Sequence, residues 1–597
     1  MTTASTKSTS ANSAVDDIRE LTPRAIVIGV VLAVILGAAN AYLGLYAGLT
    51  VSASIPAAVV SMAILRVLGG STILENNVAQ TVASAGEAVA AGAIFTFPAL
   101  VILGFKGNLP YLDVTALCLA GGTMGSLLVV FLRRAYIVEE KLPFPEGVAC
   151  AEVLRAGAKS VNAAPLLYGG IISALLKTSQ DIAGLIPGSF SGARWIGGAV
   201  LAGSMDISAA LLGVGYIVGI RIAILIFLGG SIAWFVAVPI ASLNHPELHA
   251  LGAYAAATRI WSDEVRYLGV GAMLTGGIVT LWRLRTRIKN ALVESIRVVR
   301  AGRAVSTARE DTDLPATVIA GASALALPII FALCLILTGS ILLSAAMAIV
   351  LAIVGFFATA VAGYLSGLVG ASNNPVSGVT VIVLLALALV LKLLGVSPGV
   401  GPRLAIMAGA VVCTAAAMAG DSMHDLATGY FVGATPRSLE IAVLIGAIAS
   451  SFVVAPVLNL LLNAYGIAGT AGAKANALAA PQAFLMAKVT QGVFTGGLRW
   501  GTIAIGAALA AMLAVIDRGL EKRGSSWRAP IMPVAIGLYL PLGLSVSILL
   551  GSLASIGRPR EEGGSGILFA AGLVAGEALM GVASGALVTA GVKLPLL

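Results

Sequence analysis

The sequence predicts an all-α polytopic membrane protein of about 16 transmembrane helices in two repeated halves, with broken helices near the midplane. Three observations carry that expectation. The 597 residues are 58% hydrophobic, have a mean hydropathy of +1.00 and are only 11% charged, against about 25% charged in a soluble domain. The apolar runs are about 20 residues long, the length of a helical crossing, and lack the alternation of a membrane barrel. Finally, GLTVSASIP at 48–56 and GLVGASNNP at 367–375 align Gly48 with Gly367, Leu49 with Leu368 and Pro56 with Pro375, each pair 319 positions apart.

The first 21 residues are polar and predict a disordered cytoplasmic tail, and the apolar stretch after them is too long for a cleaved signal. The first half, 22–284, reads as spans near 25–45, 50–69, 78–104, 112–132, 163–186, 197–216, 218–242 and 265–284. The stretch 285–313 reads as a basic linker. Around it Arg283, Arg285, Arg287, Lys289, Arg297, Arg300 and Arg303 form the most basic segment of the chain, placed in the cytoplasm by the positive-inside rule. The second half, 314–597, reads as spans near 314–338, 341–364, 369–396, 404–434, 440–463, 498–516, 530–556 and 565–592. Both termini are then cytoplasmic. The 71 glycines suit close helix approach in lipid. Cys118, Cys150, Cys334 and Cys413 show no CxxC spacing and read as packing residues.

The repeat extends beyond the first pair. SAGE at 84–87 resembles MAGD at 418–421, LPFPEGVACAEV at 142–153 resembles LAAPQAFLMAKV at 478–489, and GYIVG at 215–219 resembles GLYLP at 537–541. GAMLTGG at 271–277 and GLVAGEA at 572–578 make a weaker match. Because 314–338 precedes the second copy, matching segments would cross in opposite directions, provided 197–216 is a true span. Interrupted spans at corresponding places in two inverted halves point to a transporter's binding site.

Charged residues inside spans cost about 2.5–3.5 kcal/mol each on insertion scales, so each invites a functional hypothesis. Glu87, Asp421 and Asp425 are the candidates for proton coupling, because a buried carboxyl can load and release a proton. Asn76, Asn77, Gln80, Asn373, Asn374, His424 and Tyr539 are candidates for holding substrate. The amides supply donors and acceptors where helices open and suit peptide-like ligands. Asp206 and Glu577 also lie in predicted spans. Lys177 and Asp181, four apart on one helical face, read as a satisfied pair. His245 and His249 in NHPELH lack the HExxH pattern and read as interfacial. No bound metal and no cofactor is expected, and no P-loop or GxSxG signature occurs in a credible context. The net charge of +9 falls between apolar segments and does not imply nucleic acid.

ENNVAQTVASAGEAVAAGAIFTFPAL, GLVGASNNPVSGVT, AGDSMHDLATGYFVGATPR and PVAIGLYLP resemble segments of the oligopeptide transporter (OPT) family, over nearly the whole chain from about residue 22 to 592. The resemblance implies a proton-coupled importer of small peptides or of metal chelates, the latter as in the related yellow stripe-like transporters, and it fits a compact bacterial member. It places Asn76, Asn77, Gln80, Glu87, Asn373, Asn374, Asp421 and Tyr539 in matching motifs. The expected partners are the peptide or metal-chelate substrate, protons and the lipid bilayer of the inner membrane, with a homodimer left open. Two other readings remain: a channel using the same breaks as a filter, and a membrane enzyme, for which only three histidines are available.

Overall fold

The computed structural model describes residues 20–594 except 51, 106, 158–162, 302–311, 316–327, 333, 337, 372–375, 471–472, 475–476, 497–498, 526 and 558–563. In chain order the helices are α1 (Pro23–Ala47), α2 (Ser54–Val67), α3 (Ile73–Thr96), α4 (Pro98–Ile102), α5 (Tyr111–Arg133), α6 (Pro145–Gly157) and α7 (Ala164–Asp181). A hairpin of β1 (Ser189–Ile196) and β2 (Ala199–Asp206) follows. Then come α8 (Ala209–Val218), α9 (Ile220–Ser231), α10 (Val238–Ser242), α11 (Ala253–Ile260) and α12 (Arg266–Ala301). The second half holds α13 (Ile341–Val369), α14 (Val376–Leu393), α15 (Gly401–Val432), α16 (Pro436–Tyr465) and α17 (Pro481–Thr495). It ends with α18 (Trp500–Lys522), α19 (Ile531–Tyr539), α20 (Leu542–Leu553) and α21 (Ser565–Thr589). Local chemistry sets the ends: Thr22 and Thr72 accept backbone N–H groups at the starts of α1 and α3, and Gly48 closes α1 in the left-handed region at φ 70°.

The chain is therefore a helical, multi-pass membrane protein. Among the described residues nine helical segments are long and apolar enough to cross, and α2, α8, α20 and Gly378–Leu393 within α14 are shorter apolar helices. The 1–21 tail before residue 20 and most of the predicted span 314–338 lie outside the described residues. Helix α12 runs without a break from the predicted span through residue 301, into the stretch read as a linker.

One predicted span is corrected. Residues 197–216 do not form a helix: Ala199–Asp206 is a strand, paired antiparallel from Ser189↔Asp206 to Ile196↔Ala199, and only Ala209–Val218 is helical. Gly197 and Gly198, at φ 56° and 87°, supply the two positive-φ positions of a tight hairpin turn. The hairpin is a local exception in a chain that is otherwise helical among the described residues, as the all-α expectation has it, and the inference of inversion by counting spans loses a term.

The core centres on α3 and α15, whose most apolar stretches are 89% and 94% buried. They cross antiparallel: Asn77 lies by Gly429, Gln80 bonds Asp425, and Gly92 faces Thr414. Helices α5 and α16 also cross antiparallel, with Leu109 bonded to Asn459 and Gly122 against Ala447 and Ser451.

Many contacts recur with their partners exchanged. Helix α3 packs on α1 as α15 packs on α13, and α21 packs on α7 as α12 packs on α18. Gly215 lies against the Ile548 carbonyl, and Gly537 against that of Ile226. Gly169 meets the Phe569 carbonyl, and Gly506 meets that of Leu268. Gly271 meets Ile503, and Gly572 meets Leu166. The last two pairs link the weakly matched segments 271–277 and 572–578 through one packing motif. Glycine is required at each because a Cβ would collide with backbone, and such approach is how helices associate in lipid.

Candidate functional site

Asp425 sits at the α3–α15 crossing, fully buried. Its Oδ1 accepts from Gln80 Nε2 at 2.5 Å and from Ser54 Oγ at 3.1 Å, and Ser54 Oγ lies 3.0 Å from Ser84 Oγ. Its Oδ2 has no hydrogen-bond partner among the described residues. Glu87, one helical face along α3, is also buried; the Ala53 backbone N–H donates to it, and its Oε2 is without a partner among the described residues. Asp421 and Glu146 complete a group of four carboxyls within electrostatic reach of one another. Asp421 is half-buried rather than sealed. Carboxylates within reach of one another repel when all are ionised.

Helix α6 aims its N-terminus at this group. Its Gly147 N–H donates to His424 Nδ1 at 3.1 Å, and His424 Nε2 faces the Ser366 carbonyl at 3.1 Å. One nitrogen accepts and the other donates, which is the bonding of a neutral imidazole with its proton on Nε2. Thr428 Oγ1 donates to the Gly147 carbonyl at 3.1 Å, and Ser366 Oγ to the Gly420 carbonyl at 2.7 Å. His424 thus ties α6, α13 and α15 together, with no ring nitrogen left for a ligand in this arrangement.

The other amide candidates divide. Asn76 accepts from Ser71 Oγ at 2.9 Å at the head of α3. Asn77 is fully buried, and neither of its amide atoms has a partner among the described residues. Asn373 and Asn374 lie outside the described residues. Of the isolated acids, Asp181 has Lys177 Nζ at 3.1 Å as an ion-pair partner, though its oxygens make no hydrogen bond among the described residues, and Glu577 accepts from Ser208 Oγ at 2.7 Å and from Ala210 N–H at 2.8 Å, capping α8. Asp206 accepts from Tyr46 OH at 3.2 Å.

Tyr539 ends α19 just before the Leu540–Pro541 break, and it is not part of the acidic group. Its hydroxyl accepts from Arg266, the first residue of α12. Arg266 is fully buried, its guanidinium 4.0 Å from the Phe484 ring centre, 4.6 Å from Tyr539 and 4.8 Å from Trp261. Nothing in the sequence reading singled out Arg266. It stands at the lip of an apolar run, where a basic residue reads as a boundary.

The remaining candidates for metal are accounted for. His245 lies 2.7 Å from Glu247 and 2.8 Å from Glu264, His249 stacks on Trp195, and the four cysteines are buried and free. No group of three potential metal ligands occurs among the described residues.

Comparison with known proteins extends over this whole architecture. The family described as OPT oligopeptide transporter protein matches residues 20–588. A Haemophilus influenzae protein, described provisionally as an oligopeptide transporter, is 35% identical over 583 residues, covering 91% of each chain.

Proposed function

The chain belongs to the OPT oligopeptide transporter family, and from that premise we propose that it is a proton-coupled secondary transporter importing small peptides, or metal chelates of peptide-like chemistry, across the inner (cytoplasmic) membrane. The family is one of transporters, not enzymes. The related Haemophilus protein supports peptides as the first substrate class to test.

The observation that carries the proposal is the cluster of carboxyls at the crossing of α3 and α15, where Glu87 and Asp425 are buried and Asp421 is half-buried. Those two helices hold the matching SAGE and MAGD segments, so Glu87 and Asp421 are counterparts. A proton bound there on one side of the membrane and released on the other couples the proton gradient to substrate movement. A substrate ammonium is the natural competitor for the same charge.

Alternating access is supported by the form of the repeat. Counterpart helices α3 and α15 run antiparallel, as do α5 and α16, and the glycine contacts recur with partners exchanged. That is the pattern of two inverted halves around a midplane site. The sixteen-span count belongs to the same proposal.

Two measurements on the wild-type protein test it. Proteoliposomes with an inward proton gradient should accumulate a tri- to pentapeptide above its outside concentration, and a protonophore should abolish this. A thermal-shift panel of the same peptides beside iron, copper and nickel chelates should show stabilisation by one class through mass action. Transport that neither responds to the gradient nor saturates would contradict the proposal and favour a channel.

A further inference from the structure

The two largest charged side chains that are fully buried are Arg133 and Arg266, and they are handled in opposite ways. Arg133 has two carboxyl groups beside it: Asp313 Oδ1 is 2.8 Å from its Nη2 and 2.9 Å from its Nε, and Glu440 Oε1 is 4.0 Å from its Nε. Arg266 has none among the described residues. Its Nη2 reaches the Tyr539 hydroxyl and, at 3.4 Å, the Ala479 carbonyl, while Nε and Nη1 have no hydrogen-bond partner among the described residues. Three aromatic rings contact the guanidinium, and a second cation stands close by: Lys488 Nζ is 5.2 Å from the Phe484 ring centre and 5.9 Å from that of Tyr267.

Aromatic faces attract a guanidinium, but they leave its N–H groups without acceptors. A buried unpaired charge is costly, whereas pairing with an anion that arrives from outside satisfies both charge and donors. The atoms that close over Arg266, at Gly469 and Ala479, belong to the segment between α16 and α17.

We propose that Arg266, Lys488 and Tyr539 form an anion subsite that takes a carboxylate of the substrate, the C-terminal carboxylate of a small peptide. This rests on the peptide reading given above, with alternating exposure giving the ligand access. The acidic group around Glu87 then faces the opposite, ammonium-bearing end. A bare metal cation is repelled from the Arg266 site, so a chelate would present its own carboxylate there. Tyr539 acts as a positioning residue that holds the guanidinium fork.

The test uses the purified full-length protein, with thermal shift as the readout. Tri- to pentapeptides are titrated as free acids, each beside its C-terminal amide, and separately as N-acetyl derivatives. Amidation should weaken apparent affinity in the wild type at least tenfold, and R266Q should bind acid and amide alike, while R266K keeps a reduced preference. Equal affinity of acid and amide in the wild type overturns the subsite without recourse to any variant, as does an undiminished preference in well-folded R266Q. N-acetylation reports on the acidic group instead, so its failure falls on the proposed function. If no peptide stabilises the protein in any form, the peptide reading fails. The subsite is then judged with sodium acetate and N-acetylalanine: stabilisation lost in R266Q supports it, and none in the wild type overturns it.

Discussion

Helices α6 and α17 begin from counterpart loops, and the backbones at their starts are nearly the same. Phe144 and Ala480, each the residue before a proline, hold φ values of 38° and 42°, an uncommon conformation for side chains of this kind. Phe144 donates its N–H to the Gly367 carbonyl at 2.9 Å, and Ala480 donates to that of Leu45 at 2.8 Å, so each loop is tied to the end of a helix in the counterpart pair α13 and α1. The chemistry that follows is opposite. Helix α6 brings Glu146 and the Gly147 N–H to the acids and His424 of α15, whereas α17 brings Gln482, Phe484 and Lys488 to Arg266. The two loops thus share a backbone geometry while the helices that follow them differ in polarity. On the proposed function, that difference would offer unlike ends to an asymmetric ligand.

The largest expected effect separates the two buried arginines. Arg133→Met leaves the buried Glu440 and the partly buried Asp313 without their cation and should destabilise the protein by about 3–5 kcal/mol, read as a lowered melting temperature in detergent. Arg266→Met strands no carboxylate among the described residues and should cost clearly less. If the two cost the same, Arg266 is a structural cation and the contrast between the regions fails.

A smaller effect tests the shared geometry. Gly215→Ala and Gly537→Ala each place a Cβ against a counterpart carbonyl, and overpacking of that kind costs about 1–3 kcal/mol. The two substitutions should lower the melting temperature by similar amounts. A large loss in one and none in the other would break the two-fold relation.

The membrane-crossing helices and the placing of Glu87 and Asp425 inside them were legible in the sequence, because long apolar runs and the charges within them leave strong signals. The hairpin was not. Its strands are built of small and apolar residues that also suit a membrane helix, and the Gly197–Gly198 pair was the one local sign of a turn. Arg266 escaped notice because its significance comes from Trp261, Phe484 and Tyr539, residues that only the fold assembles. His424 was legible as a residue of the site, but its engagement by Gly147 and Ser366 depends on two other helices.

The smallest effect lies in the polar pocket beside α12, lined by His245, Glu247, Arg259, Glu264 and Arg499. Hydrogen bonds to Glu247 and Glu264 raise the pKa of His245 above its ordinary value. The stabilisation from its charged form is therefore complete below the unfolded value of about 6.5 and is lost as pH rises through the higher folded value. Melting temperature should fall slightly over that range, and His245→Gln should remove this component. A pH profile identical in wild type and variant would show that the histidine does not hold the pocket together.

The central claim is that a proton carried by the acidic crossing drives substrate held between unlike ends. Glu87→Gln in proteoliposomes tests it most directly, by comparing peptide accumulation under an inward proton gradient with peptide exchange at equal concentrations on both sides. The account predicts that the variant loses gradient-driven accumulation while exchange continues. Proton-driven accumulation at the wild-type level in that variant would contradict it.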